Sequence, residues 1–252
     1  MKIGDTYKFF AKFDKKLVKK FQEQFGPVSK FLKPGDTFSF KCARDGKCCT
    51  NRFGKDQIIL TPYDVARLRT LLKIDSTEFL KKCACLALGA KSQFPIALLK
   101  YQATEKGNKC PFLTNQGCSV YQDRPLRCRL YPLGRAYSDG YSYFYLAQVD
   151  KNCGINNSRR YVLEEWLSGS EVGPFCDWSD VFHLLFMNID HEKYKEIAPE
   201  LKYFFGFLMY DFDTHMKRLS AKNLNDNETM AITLDIAKVY LNKLGLVKQN
   251  NT

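Results

Sequence analysis

The chain has 252 residues, 45% of them hydrophobic, with 20 Phe and 14 Tyr, enough for an ordinary apolar core without covalent staples. Its formal charge of +12 would point to nucleic acid if the basic residues were gathered in one block, but they are spread along the whole chain. Metal-bound thiolates also reduce that charge, by about 4 for eight thiolates on two Zn²⁺ and about 2 for a four-thiolate [4Fe–4S]²⁺ centre. The basic surface therefore reads as solvated, and a nucleic-acid partner is disfavoured.

Met1–Lys20 has no apolar run followed by a small-residue cleavage site, unlike a secretory signal. The longest apolar passage, around Tyr203–Tyr210, falls far short of the roughly 20 residues of a membrane span. The expectation is a cytoplasmic protein without a membrane span. In a reducing compartment, the ten cysteines read as metal ligands before disulfides.

In chain order, Lys15–Phe25 has the pattern of a short amphipathic helix closed by Gly26-Pro27, and Thr37–Cys42 alternates like a strand. Gln57–Leu60 is strand-like. Thr61-Pro62-Tyr63-Asp64 then opens a helix, with Thr as N-cap, Pro at the first helical position and an acid at the third. This helix is predicted to run to about Lys73, with Val65, Leu68, Leu71 and Leu72 on one face. A second helix, opened by Asp75 or Ser76, is predicted to carry Phe79, Leu80, Cys83 and Leu86–Leu88. Pro95–Tyr101, Ser119–Tyr121 and Tyr141–Val149 read as strands between turns that carry cysteines. Beyond Asn156 the texture turns helical, over Ser158–Leu167, Asp177–Ile189, about His191 to Leu219 with a break at Pro199, and Asn227–Leu244 with Gly245 as cap. The fold class is α+β, a small cysteine-rich, metal-centred mixed domain followed by a helical C-terminal half. Its predicted parts are an N-terminal helical extension (1–37), a cysteine-cluster metal-binding domain (38–155) and a helical C-terminal region (156–252).

Three cysteine groups carry the chemistry. The first is Cys42-Ala43-Arg44-Asp45-Gly46-Lys47-Cys48-Cys49. The second runs from Cys110-Pro111-Phe112-Leu113 to Gly117-Cys118-Ser119-Val120-Tyr121. The third is Arg124-Pro125-Leu126-Arg127-Cys128-Arg129-Leu130-Tyr131-Pro132, with Cys153-Gly154 after it. Thiolates are soft donors that suit zinc and iron–sulfur clusters. Close pairs on tight turns are the usual way to bring four of them to one centre. Gly46 and Gly117 each stand just before a cysteine, where a turn must let the backbone approach a metal. Adjacent Cys48 and Cys49 serve two metals, or two irons of one cluster, more easily than one tetrahedral ion. Spacing alone leaves zinc and iron both open.

The combined order Phe40-Lys41-Cys42, Gly46-Lys47-Cys48-Cys49, Leu60-Thr61-Pro62-Tyr63-Asp64-Val65, Cys110-Pro111-Phe112-Leu113, Gly117-Cys118-Ser119-Val120-Tyr121, Arg124-Pro125-Leu126-Arg127-Cys128 and Tyr131-Pro132 resembles the YkgJ-type cysteine-cluster family. This is also called the CxxCxxCC family, a group described as zinc- or iron-chelating. The resemblance covers about residues 38–155. It implies a metal centre built from Cys42, Cys48, Cys49, Cys110, Cys118, Cys128 and Cys153, and a distant link to flagellin lysine methylases, hence to a protein substrate as partner. In the family's opening, Cys-x-x-Cys-Gly-x-Cys-Cys, the second cysteine is here Asp45. A carboxylate can ligate zinc or iron, and Asp before Gly also suits a plain turn. Without Asp45, seven cysteines cannot fill two all-thiolate tetrahedral sites, which favours one four-cysteine cluster.

Cys83 and Cys85 fall in an apolar helical pattern and read as buried packing, with Cys85 the outside candidate for an eighth ligand. Cys176, beside Phe175 and Trp178, also reads as packing. His183, His191 and His215 show no ligand spacing. Arg124, Arg127 and Arg129 around Cys128 either stabilise thiolates or an anion, or serve locally, with Arg124 pairing a neighbour such as Asp123. No phosphate-cradling glycine loop, HExxH or GxSxG motif is present, so an enzymatic role is left open. The leading reading is an iron–sulfur protein with a redox or protein-modifying role. The alternative is a zinc-stabilised module that recognises a protein or anionic partner.

Overall fold

The structure, a computed structural model, describes residues 19, 30–40, 46–50, 57–105, 107–138, 141–146 and 159–248. The helix expected over Lys15–Phe25 lies, apart from Lys19, outside the described residues, as do Cys42, Asp45 and Cys153. The chain divides into two compact units, Met1–Cys48 with Arg127–Asp177, and Cys49–Leu126 with Trp178–Thr252. Small sheets and turns in the first part of the chain and helices in the last make the class α+β. No helix is long and apolar enough to cross a membrane among the described residues.

In the first unit, β1 (Lys30–Leu32), β10 (Leu133–Ser138) and β11 (Tyr141–Leu146) form an antiparallel sheet of order β1-β11-β10. Its register pairs Phe31 with Tyr145 and Arg135 with Phe144. Strand β2 (Thr37–Ser39) pairs antiparallel with β12 (Arg160–Val162), which leads into helix α4 (Leu163–Gly169). The helix expected over Ser158–Leu167 thus begins only at Leu163. Its first residues are drawn into a strand by a partner some 120 positions away, which local periodicity cannot register. The core is aromatic. Trp166 packs edge-on against Phe38 and Phe40 at 5.7 and 5.5 Å and against Tyr161 at 4.9 Å, and its indole N–H donates to Leu130 O at 3.2 Å.

In the second unit, β3 (Ile59–Leu60), β4 (Ala84–Leu88) and β5 (Pro95–Leu99) form a sheet of order β3-β5-β4. Helix α1 (Pro62–Leu72) starts as its sequence dictates. Thr61 and Asp64 form a reciprocal capping box, Pro62 occupies the first turn, and Lys73 ends the helix in a left-handed conformation. Helix α2 (Ser76–Cys83), capped by Asp75, stops five residues before its expected end. Residues Ala84–Leu88 leave the helical pattern because every one of them pairs with β5, from Ala84 with Leu99 to Leu88 with Pro95. Two hairpins follow, β6 (Gln102–Thr104) with β7 (Gly107–Lys109) and β8 (Leu113–Thr114) with β9 (Gly117–Cys118). The strand expected at Ser119–Tyr121 is instead the exit from β9 into a 3-10 turn over Tyr121–Asp123. The short helix α3 (Leu126–Leu130) comes next, beginning at the last residue of this segment and otherwise belonging to the first unit.

The helical part contains α5 (Gly173–Met187), α6 (His191–Glu196), α7 (Pro199–Tyr210), α8 (Phe212–Arg218) and α9 (Asp226–Lys243). Pro199 opens α7, where its missing N–H costs nothing. Asn225 and Glu228 form a capping box for α9, and Gly245 follows that helix at φ 64°. Gly206 brings α7 close to the sheet. A Cβ there would lie 2.8 Å from Pro95 Cβ and 3.4 Å from Leu86 Cδ1.

Candidate metal centre

Cys48 and Cys49 sit in a 3-10 turn, Lys47–Cys49, that follows Gly46 at φ 72°. In the second unit the Cys110 N–H donates to Cys49 O at 2.8 Å, and Thr50 bridges Lys109. Two cysteines 61 positions apart are therefore joined backbone to backbone. Cys118 enters from the β8-β9 hairpin, opposite Leu113, while Leu113 N–H donates to Cys110 O at 3.1 Å and Ser119 N–H to Phe112 O at 2.9 Å. Gly117, before Cys118, has φ 107°, a conformation a side chain would oppose. Both glycines thus make the turns that the sequence predicted. Cys110 is buried, and Cys48, Cys49 and Cys118 are partly accessible.

Asp64 ties this turn system to α1. One carboxylate oxygen accepts the Thr61 N–H at 2.7 Å and the other accepts the Leu126 N–H at 2.8 Å, with Asp64 fully buried. The Leu126 N–H opens the segment that leads to Cys128. Arg67, three positions along α1, donates Nε to Asp123 Oδ1 at 2.9 Å and Nη1 to Asp226 at 3.3 Å. Burial works against the Arg67 charge, but the Asp123 hydrogen bond and the carboxylates of Asp123 and Asp226 hold its pKa above the ordinary value. The local pairing of Arg124 with Asp123 is thereby corrected. Asp123 takes Arg67, while Arg124 donates to Tyr121 O at 2.9 Å and lies over the Tyr121 ring at 4.1 Å.

Cys128 lies on α3 in the first unit, between exposed Arg127 and buried Arg129. The Arg129 guanidinium is 4.2 Å from the Phe175 ring centre and donates to Ser170 O at 3.1 Å, with Glu171 at 3.8 Å. These contacts give Arg129 a packing role. Among the described residues no three His, Cys, Asp or Glu side chains close on one point. The two outermost candidates, Cys42 and Cys153, lie outside those residues, as does Asp45. Two surface hollows, one lined by Arg69, Lys73, Asp75, Asp213 and Lys217 and the other by Asp190, Lys193, Asn242 and Lys248, include no cysteine.

Cys176 is 3% exposed, as packing requires. Cys83 and Cys85 are not core residues. Cys83, the last residue of α2, is half-buried, and Cys85, drawn out of the helical pattern into the edge strand β4, is exposed. His191 stacks edge-on against Phe94 at 5.6 Å and His215 lies 3.3 Å from Phe207 O, so both have local partners.

Residues 41–154 match the model of the CxxCxxCC family, whose description is "Putative zinc- or iron-chelating domain". Over these residues the chain is similar to a CxxCxxCC domain. That similarity supports metal binding by this stretch of the chain. The CxxCxxCC match lies within the cysteine-bearing stretch 38–155 read from the sequence. No curated protein and no solved structure matches the chain. The cysteines of the matched stretch fit zinc or iron chemically, since they are sulfur donors, and Cys48, Cys49 and Cys118 stand on tight turns. What sequence reasoning missed is the Asp64–Leu126 and Arg67–Asp123 pairing that positions those turns. Residues 62 and 56 positions apart leave no local periodic signal.

Proposed function

We propose that Cys42, Cys48, Cys49, Cys110, Cys118, Cys128 and Cys153 supply the ligands of an iron–sulfur cluster in a cytoplasmic protein with a redox or protein-modifying role. The observation that supports this most is the Cys110 N–H to Cys49 O bond of 2.8 Å. It joins the backbone of a third cysteine to that of an adjacent pair, and adjacent cysteines serve two metals more easily than one tetrahedral ion. Such a set suits a polynuclear centre better than a single tetrahedral ion. Four thiolates from these residues would hold the cluster, and bound there it supplies one-electron chemistry. Hydrogen bonds and burial near the sulfurs tune such a centre, and Cys110 is buried. Anaerobic purification followed by iron and inorganic sulfide analysis tests the reading. Brown protein with both elements supports it, and colourless protein with neither rejects it.

A second reading is a zinc-stabilised module for a protein or anionic partner. It draws support from the accessible aromatic residues of α7, with Tyr203, Phe204 and Phe207 39–48% exposed, on a chain of net charge +12. Its signature is stoichiometric zinc with unfolding on chelation. Protein that stays folded after complete zinc removal rejects it.

A further inference from the structure

Two thiols flank Ala84 where α2 passes into the edge strand β4. Cys83 ends α2, its C=O accepting the Lys100 N–H at 2.8 Å, and Cys85 lies in β4 on the face that α7 leaves open. The close approach of Gly206 to Leu86 and Pro95 puts α7 on one face of the sheet, the face to which Ala84 also points by the two-residue period. Ala84 is fully buried, whereas Cys83 and Cys85 on either side of it are half-buried and exposed. The open face continues through Leu98, paired with Cys85, to Ile59, paired with Leu98 and 40% exposed. Both thiols belong to no part of the cysteine pattern that identifies the family.

Ala84 is extended, with φ −139° and ψ 165°, which sets the two cysteine Cα atoms about 6.7 Å apart. A disulfide accepts Cα separations of about 4.4–6.8 Å, so this pair lies at the wide end of that range. A bridging ion spans the gap. With metal–sulfur bonds of about 2.3 Å, two sulfurs sit roughly 3.8–4.6 Å apart, a separation that side chains leaning together reach. Among the described residues no third His, Cys, Asp or Glu joins them to form a ligand group, which disfavours ions that demand four ligands. Soft Cu(I) is satisfied by thiolates, and a two-thiolate complex of a monovalent ion carries one net negative charge. Lys82 and Lys100 act electrostatically on Cys83, and Lys100 is anchored beside it through Nζ to Lys81 O at 2.8 Å. Burial pushes the Cys83 thiol up, which keeps it protonated until a metal displaces the proton.

We propose that Cys83 and Cys85 form a two-thiolate site for one soft monovalent cation of the Cu(I) class, additional to the seven cysteines assigned to the zinc or iron centre. On binding, two S–Cu bonds form and two thiol protons leave to solvent, with no change of oxidation state. The test uses anaerobically purified full-length protein that keeps its native metal, titrated with Cu(I) held by a chromophoric competing chelator. Wild-type protein is expected to withdraw one Cu(I) per chain while its native metal content stays constant. Cys85→Ser, at an exposed position, is expected to weaken that uptake about 100-fold or more, because the second sulfur acts at high effective concentration. Cys83→Ser should do the same, and the double variant should be no worse than either single one. Wild-type uptake in Cys85→Ser, independent additive losses at the two positions, or uptake matched by release of the native metal would each overturn the proposal.

Discussion

Two stretches of the second unit reach order by opposite means. Residues 178–243 form helices whose inward faces bury Phe182, Leu185, Tyr194, Phe205, Met209, Phe212, Met230 and Leu241. Aromatic rings stack there, with Phe94 4.4 Å from Phe186 and 4.5 Å from Tyr194. Each such side chain contributes about 1.5–3 kcal/mol on burial. Residues 107–126, by contrast, contain strands of two or three residues and bury few large apolar groups, among them Phe112, Val120 and Leu126. Their order comes from hydrogen bonds to Cys49, Asp64 and Arg67. Strands this short do not hold themselves together in water. If the proposed centre is correct, the cysteine-bearing stretch should depend on its metal and the helical stretch should not.

The largest expected effect separates two buried cysteines. Cys110→Ser should abolish most of the bound metal and open residues 107–126 to rapid amide exchange. Cys176→Ala should keep the full metal complement and cost about 1–2 kcal/mol in denaturant unfolding, the amount of a small packing loss. Equal metal content in the two variants would erase the contrast.

Next comes Asp64→Ala, which leaves the Thr61 and Leu126 N–H groups without their carboxylate and should destabilise by about 3 kcal/mol. Metal affinity should fall with it, since Leu126 opens the segment to Cys128. A loss of stability with unchanged affinity would mean that Asp64 serves α1 alone. Gly206→Ala acts on the helical side. Its Cβ would meet Pro95 at 2.8 Å, and overpacking of this kind costs about 1–3 kcal/mol. Metal content should stay at the wild-type level, and a parallel loss of metal would show the two stretches to be coupled.

The smallest effect is at Asp75. Its carboxyl is held below the usual range, first by the Glu78 N–H and then by Lys217. A depressed carboxyl stabilises fully above its ordinary value, and the contribution fades as pH falls through the lowered one. Asp75→Ala should cost about 1 kcal/mol at neutral pH, with the gap to wild type narrowing in acid. A gap that widens in acid would contradict this role.

Much of the fold was legible where the signal was local. Thr61, Pro62 and Asp64 announce the start of α1, and Gly245 marks the end of α9. The turns at Gly46 and Gly117 follow from the need for positive φ before a cysteine. Elements set by distant partners were not legible. Ala84–Leu88 continues the apolar pattern of α2 and becomes a strand only because β5 is available to pair. Arg160–Val162 turns to a strand because Thr37–Ser39 lies opposite. For the site, the cysteine order carries the proposed grouping, yet the carboxylates that hold the turns carried no pattern of their own. Asp64 was visible as a helix cap and not as the anchor of Leu126.

Metal and acid-labile sulfide analysis of anaerobically purified wild-type protein, read together with its visible spectrum, tests the central claim most directly. The account predicts iron and inorganic sulfide in comparable amounts with broad visible charge-transfer absorption, all lost in Cys110→Ser. Colourless protein carrying stoichiometric zinc and no sulfide would contradict the iron–sulfur assignment, and protein carrying neither metal would contradict the metal centre itself.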